Sequence, residues 1–115
     1  MPNALLKGLP PTHPGELLRT IVLPAAGLSK SEVARRLGVT RPVLYALLAE
    51  EQAVSPLMAH KLSRLFGSTP ETWAGMQQAY DLAKAGEKSA DMLAKIERVD
   101  ADEEAAREKA TRAAA

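Results

Sequence analysis

The side chains in this chain best suited to chemistry are ones that could read a nucleic acid. Thr40, Arg41, Val43 and Tyr45 follow a tight Leu37-Gly38-Val39 turn and are interleaved with Leu44, Leu47 and Leu48. Arginine makes the commonest specific base contact, bidentate to guanine, and a valine can touch a thymine methyl. Thr40 can bond a phosphate while capping a helix. Lys30 stands at a helix start, where backbone N–H groups and the positive dipole end already favour phosphate. Arg35-Arg36 fit either a phosphate contact or a solvated face.

Other chemistries are poorly provided for. Cysteine is absent, which removes disulfide scaffolds, Cys-based zinc sites and thiol catalysis together. His13 and His60 lie on different segments with no carboxylate spacing around them. His13 is expected to help cap the first helix and His60 to be partly exposed, and neither to bind metal or to catalyse. There is no phosphate-cradling glycine loop, no zinc-binding HExxH helix and no nucleophile elbow. Carboxylates are plentiful, but nothing sets a pair into an apolar pocket. The expectation is a non-enzyme without a cofactor.

The 115 residues suit one domain, with 46% hydrophobic and 25% charged residues, a globular balance. Aromatic residues are 3%, so aliphatic side chains must fill the core. Fifteen Lys+Arg against fourteen Asp+Glu leave a net charge of +1. A nucleic-acid reading therefore rests on where charges sit, not on their sum. No apolar run approaches the roughly 20 residues of a membrane span. The start, Met1-Pro2-Asn3-Ala4-Leu5-Leu6-Lys7, lacks the pattern of a signal peptide. The expected location is the cytoplasm.

The elements that must position these side chains read as helices throughout. Residues 1–12, with Pro2, Gly8, Pro10 and Pro11, read as an extended lead-in. From Pro14 to about Leu23, Leu17, Leu18, Ile21 and Val22 recur at helical spacing, and Pro24 and Gly27 end the segment. Ser29 and Glu32 form a capping box for a short helix with Val33, Ala34 and Leu37 inward, accompanied by a Leu28–Val33 staple, and Gly38 stops it. Thr40 caps a third helix running to about Ala49, with Pro42 tolerated in the first turn. Ser55-Pro56 and Thr69-Pro70 start a fourth and a fifth helix. Gly67 stops the fourth and Gly86 breaks the fifth. Trp73, Phe66, Tyr80 and the methionines fall at core spacing, although Trp73 also suits a dimer interface. Met92, Leu93, Ile96 and Val99 mark a sixth segment. That stripe fits packing back on the domain, joining a dimer or binding a partner. Beyond Asp100 only alanine remains among charges, a tail expected to fray or to extend as exposed helix. No segment alternates as a strand would.

Residues 28–49 thus hold two short helices joined by a glycine turn, the mark of a helix-turn-helix. The major groove admits one helix, and a second must cross behind it to hold its angle. Spacing alone leaves both a DNA-binding unit and a plain helical hairpin open.

The residues from His13 to about Leu82 resemble the HigA antitoxin family, within the lambda-repressor-like (Xre) class. The matching pieces are His13-Pro14-Gly15-Glu16-Leu17-Leu18, Leu28-Ser29, Val33-Ala34, Leu37-Gly38-Val39-Thr40-Arg41-Pro42, and Ser55-Pro56. Leu62 with Leu65-Phe66-Gly67, Thr69-Pro70-Glu71-Thr72-Trp73 and Gln77-x-x-Tyr80-Asp81-Leu82 continue it. The resemblance implies an all-α, five-helix lambda-repressor-like DNA-binding domain over residues 13–86, with a C-terminal helical extension over 87–115. It implies a homodimer that binds a palindromic double-stranded operator in its own promoter and neutralises a RelE/HigB-like ribonuclease toxin. Lys30, Thr40, Arg41, Val43 and Tyr45 would carry the DNA contacts.

One departure bears on this. After the recognition helix the family often has Asn-Gly followed by basic residues, whereas this chain has Ala49-Glu50-Glu51-Gln52-Ala53. Two carboxylates stand where a phosphate-facing loop would prefer cations, and Ala46 offers no base-reading group. The expectation is DNA binding weaker or more salt-sensitive than that of a typical member. It keeps two alternatives in view, a toxin-binding module with little DNA affinity and an Xre regulator without a toxin.

Overall fold

The protein is described by a computed structural model covering residues 10–99 and 106–111. Most of the extended lead-in, and the tail at 100–105 and 112–115, lie outside the described residues. The described residues hold helices and no strand. In order these are α1 (Pro14–Leu17), a π turn (Leu18–Val22), α2 (Leu23–Ala26), α3 (Lys30–Leu37), α4 (Arg41–Leu48), α5 (Pro56–Phe66), α6 (Pro70–Lys88) and α7 (Ala90–Ala94). The chain divides into two compact units, Met1–Ala85 and Gly86–Ala115.

Local chemistry explains where the helices of the first unit start. The side chains of His13, Ser29, Thr40 and Ser55 each accept a backbone N–H of the first turn. Thr69 does the same for Thr72 at 3.2 Å. Proline occupies the first or second position of α1, α4 and α5 and opens α6, where its missing N–H has no intrahelical partner to lose. The Ser29–Glu32 box is made on one side only. Ser29 Oγ accepts the Glu32 N–H at 3.1 Å, while the Glu32 carboxylate turns to Arg35 and Arg36.

Four sequence expectations fail. Pro24 does not end the first helix, because the π turn precedes it and restarts the α pattern at Leu23, placing Pro24 in a first-turn position. The wider turn also shifts the buried stripe. Leu18 and Leu23 are buried, whereas Ile21, which α spacing puts inward, is 60% exposed. Gly86 does not break α6, which runs to Lys88; an interior glycine costs a helix only about 1 kcal/mol. Met92 is exposed rather than core, and the second unit's α7 is only five residues long. Residues 106–111 are helical and exposed.

The core of the first unit is aliphatic, with Leu18, Val33, Leu44, Leu47 and Leu62 fully buried and Trp73 closing it. Trp73 is thereby committed to its own core. Gly15 lets α1 approach α4 closely, since a Cβ there would land on the carbonyl oxygen of Leu47.

Candidate nucleic-acid interface

Two helices and one turn set the geometry of the interface. At the end of α3, Gly38 adopts φ 71°, and its N–H donates to Arg35 O while Val39 N–H donates to Ala34 O. That pair of bonds is a Schellman stop, which needs a left-handed residue and so favours glycine. Two residues later Thr40 starts α4, its Oγ1 accepting the Val43 N–H at 3.4 Å.

The back of α4 is locked by Leu44, Leu47 and Leu48, each at most 3% exposed. The opposite face leaves Arg41, Pro42 and Tyr45 exposed. Lys30 Nζ, from the first position of α3, lies 5.5 Å from the Tyr45 ring centroid, within cation–π range. The fold thus brings Lys30 and Tyr45 together. Arg41 has no ion-pair partner among the described residues. Val43 is half-buried and packs against the core, so it presents less surface than the spacing suggested.

Arg35 and Arg36 both converge on Glu32, with Nε–carboxylate distances of 2.9 Å. The two guanidinium groups hold the Glu32 pKa down to about 2. This local cluster occupies part of both arginines on the solvent side of α3.

Sequence reasoning missed the residues that steady the far end of α4. Glu50 adopts φ 63°. Its N–H donates to Leu47 O, and that of Glu51 to Ala46 O, which is a second Schellman stop with glutamate at the glycine position. Arg19 from the π turn donates to Leu48 O at 2.5 Å and lies 3.5 Å from the Glu50 carboxylate. Glu50 is therefore engaged with its own fold. Further on, buried Gln77 accepts the Val54 N–H at 2.8 Å and donates to Asp81 at 2.9 Å. The Gln77–Asp81 spacing on one helix face was the available signal.

His13 is the residue behind the His-Pro-Gly-Glu start. It is 2% exposed, its Nδ1 accepts the Gly15 N–H at 2.9 Å, and its ring meets Tyr80 edge-on at 4.8 Å. Burial lowers its pKa, against the opposing pull of Glu50 and Asp81.

Among the described residues no group of three or more His, Asp or Glu could hold a metal ion, and no helix is long and apolar enough to cross a membrane.

A helix-turn-helix family profile matches residues 18–73. Virulence-associated protein A' of Dichelobacter nodosus is 40% identical over 84 residues, 72% of either chain. The solved structure of antitoxin GraA superposes with TM-score 0.74 at 38% identity, over 80% of this chain and all of that one. Pseudomonas aeruginosa antitoxin HigA, solved with the higBA promoter, gives TM-score 0.73 at 32% identity, over 77% of this chain and 98% of that one.

Proposed function

From the premise that the chain belongs to the helix-turn-helix family that includes the HigA-type antitoxins, we propose that it is a DNA-binding antitoxin and autorepressor. In this reading it binds operator DNA as a homodimer in the cytoplasm. It silences its own promoter, neutralises a RelE/HigB-like ribonuclease toxin, and catalyses nothing itself. The observation that carries the reading is α4, whose leucine back is buried while Arg41 and Tyr45 stand exposed beside Lys30.

The mechanism follows from that face. The N-terminal turn of α4 enters the major groove, with Arg41 reading a base edge. Thr40 and Lys30 meet backbone phosphate, and Tyr45 packs beside Lys30 at the groove wall. Two such helices one DNA turn apart, about 34 Å, would read two half-sites. We assign the self-association of this reading to a cleft of ≈ 450 Å³ between the start of α5 and α6, lined by Val54, Pro56, Ala74, Leu82 and Ala85 among others. Leu82 at its edge is 66% exposed.

The acidic loop was the main reason to favour a module that binds toxin but not DNA. The Arg19–Glu50 pairing takes Glu50 out of that argument and leaves it resting on Glu51 alone. The test is binding of the purified chain to a duplex of its own upstream region across a salt series, beside a scrambled duplex. Sequence-dependent binding with a steep salt slope is expected. Equal binding to both duplexes would sink the repressor reading in favour of the toxin-binding module.

A further inference from the structure

A second cationic surface lies apart from the base-reading residues. Arg36 of α3 and His60, Lys61, Arg64 and Leu65 of α5 line a groove of ≈ 320 Å³. None of the five is among Lys30, Thr40, Arg41 or Tyr45. Three are fixed cations, and no carboxylate lines the groove. Lys61 and Arg64 have no ion-pair partner among the described residues. Arg36 gives its Nε to Glu32, which leaves its terminal NH2 groups for another acceptor. The groove also reaches the helix-turn-helix itself, since Lys61 Nζ would lie 4.0 Å from a Cβ placed on Gly38.

We propose that this α3–α5 groove holds a DNA sugar–phosphate strand outside the half-site whose bases α4 reads. The proposal rests on the repressor reading and extends it. Its chemistry matches the ligand on two counts. Phosphates pair with Arg36, Lys61 and Arg64, and the apolar faces of deoxyriboses cover half-buried Leu65 and the aliphatic stems of the cations. Contacts of this kind carry no sequence information and add affinity through counterion release. They also supply, from a different element, the backbone contacts that Glu50-Glu51 cannot.

The test uses the full chain, a minimal operator duplex that ends at the half-sites, the same duplex lengthened by about ten base pairs of unrelated sequence at each end, and a scrambled duplex. The wild type should bind the lengthened duplex more tightly, and with two phosphates gained per protomer that advantage should shrink roughly a hundredfold for the dimer between about 50 and 200 mM salt. The double variant Lys61→Gln/Arg64→Gln should lose the advantage and flatten the salt slope by about 2 per protomer, while keeping its preference for operator over scrambled sequence. Both side chains reach solvent, and circular dichroism would verify the variant's fold. Equal affinity and slope for wild type and variant on the long duplex would overturn the proposal. So would unchanged DNA binding accompanied by lost binding to an acidic protein partner. If the wild type ignored operator sequence yet bound the scrambled duplex through Lys61 and Arg64, the repressor reading would fall and the strand-binding groove would stand.

Discussion

Arg19 and Glu50, 31 positions apart, meet at 3.5 Å across the C-terminal end of α4, where Arg19 also bonds Leu48 O. A charged bond to a partly buried carbonyl stabilises by about 1.5–3 kcal/mol. The exposed ion pair beside it contributes about 0–1 kcal/mol. Arg19→Ala should therefore destabilise by roughly 2 kcal/mol in urea titration and weaken operator binding. A loss no larger than that of Glu50→Gln would show that the carbonyl bond contributes nothing.

Glu50→Gly should move stability the other way. The left-handed conformation at φ 63° costs a non-glycine residue roughly 1–2 kcal/mol. Glycine removes that strain and forfeits only the weak pair, so a net gain of about 0.5–1 kcal/mol is expected. Operator affinity should stay nearly constant on Glu50→Gly and rise on Glu51→Lys. Unchanged affinity in Glu51→Lys would place the loop away from phosphate.

Two glycines in helices should answer alanine oppositely. At Gly15 the new Cβ meets a backbone oxygen of α4, which cannot yield as a flexible side chain would. Gly15→Ala should cost at least 2–3 kcal/mol through overpacking. Gly75 has open space around it, and Gly75→Ala should stabilise by up to about 1 kcal/mol. Paired thermal melts read both, and a tolerated Gly15→Ala would contradict the close approach of α1 to α4.

The His13 cap predicts a pH dependence. Neutral Nδ1 accepts the Gly15 N–H, and burial keeps the folded-state pKa below the usual 6.5. As pH falls the unfolded chain takes up the proton first, so this contribution is complete above about 6.5 and declines as pH drops through the window below it. His13→Asn keeps a cap acceptor without a titrating group. Denaturant titrations at stepped pH from about 8 to 5 should show a steeper decline for wild type than for the variant, and parallel curves would refute the assignment.

On the proposed DNA face, Arg41→Ala should relax specificity by about 1–3 kcal/mol at one base position. Lys30→Ala should weaken all sequences alike and flatten the salt slope by about 1 per protomer. Binding curves on operator and scrambled duplexes separate the two. Leu82→Glu should shift the protein toward monomer in sedimentation and abolish binding to paired half-sites. A persistent dimer would remove the α5–α6 cleft from the interface.

The parts of this protein legible in its sequence are those governed by neighbours along the chain. Ser29, Thr40, Ser55 and Thr69 cap the turns beside them, Gly38 stops α3, and Leu44, Leu47 and Leu48 share one helical face. What stayed illegible depends on residues far apart. The π turn adds one residue to a helical turn and rotates Ile21 outward, a phase shift that a fixed 3.6-residue period conceals. The engagement of Glu50 required Arg19, and the burial of Gln77 required Val54. The α3–α5 groove gathers Arg36 with residues some 25 positions later, a grouping made only by the packing of α5 on α3.

The prolines at the helix starts have an effect that no contact map contains. Pro14, Pro42, Pro56 and Pro70 sit where the folded chain already needs their φ, so they add little to the native state. They act on the denatured ensemble, whose backbone has fewer conformations to surrender, by about 0.4–1 kcal/mol each. Part of what keeps α4 in its place is thus the poverty of the alternatives open to the unfolded chain.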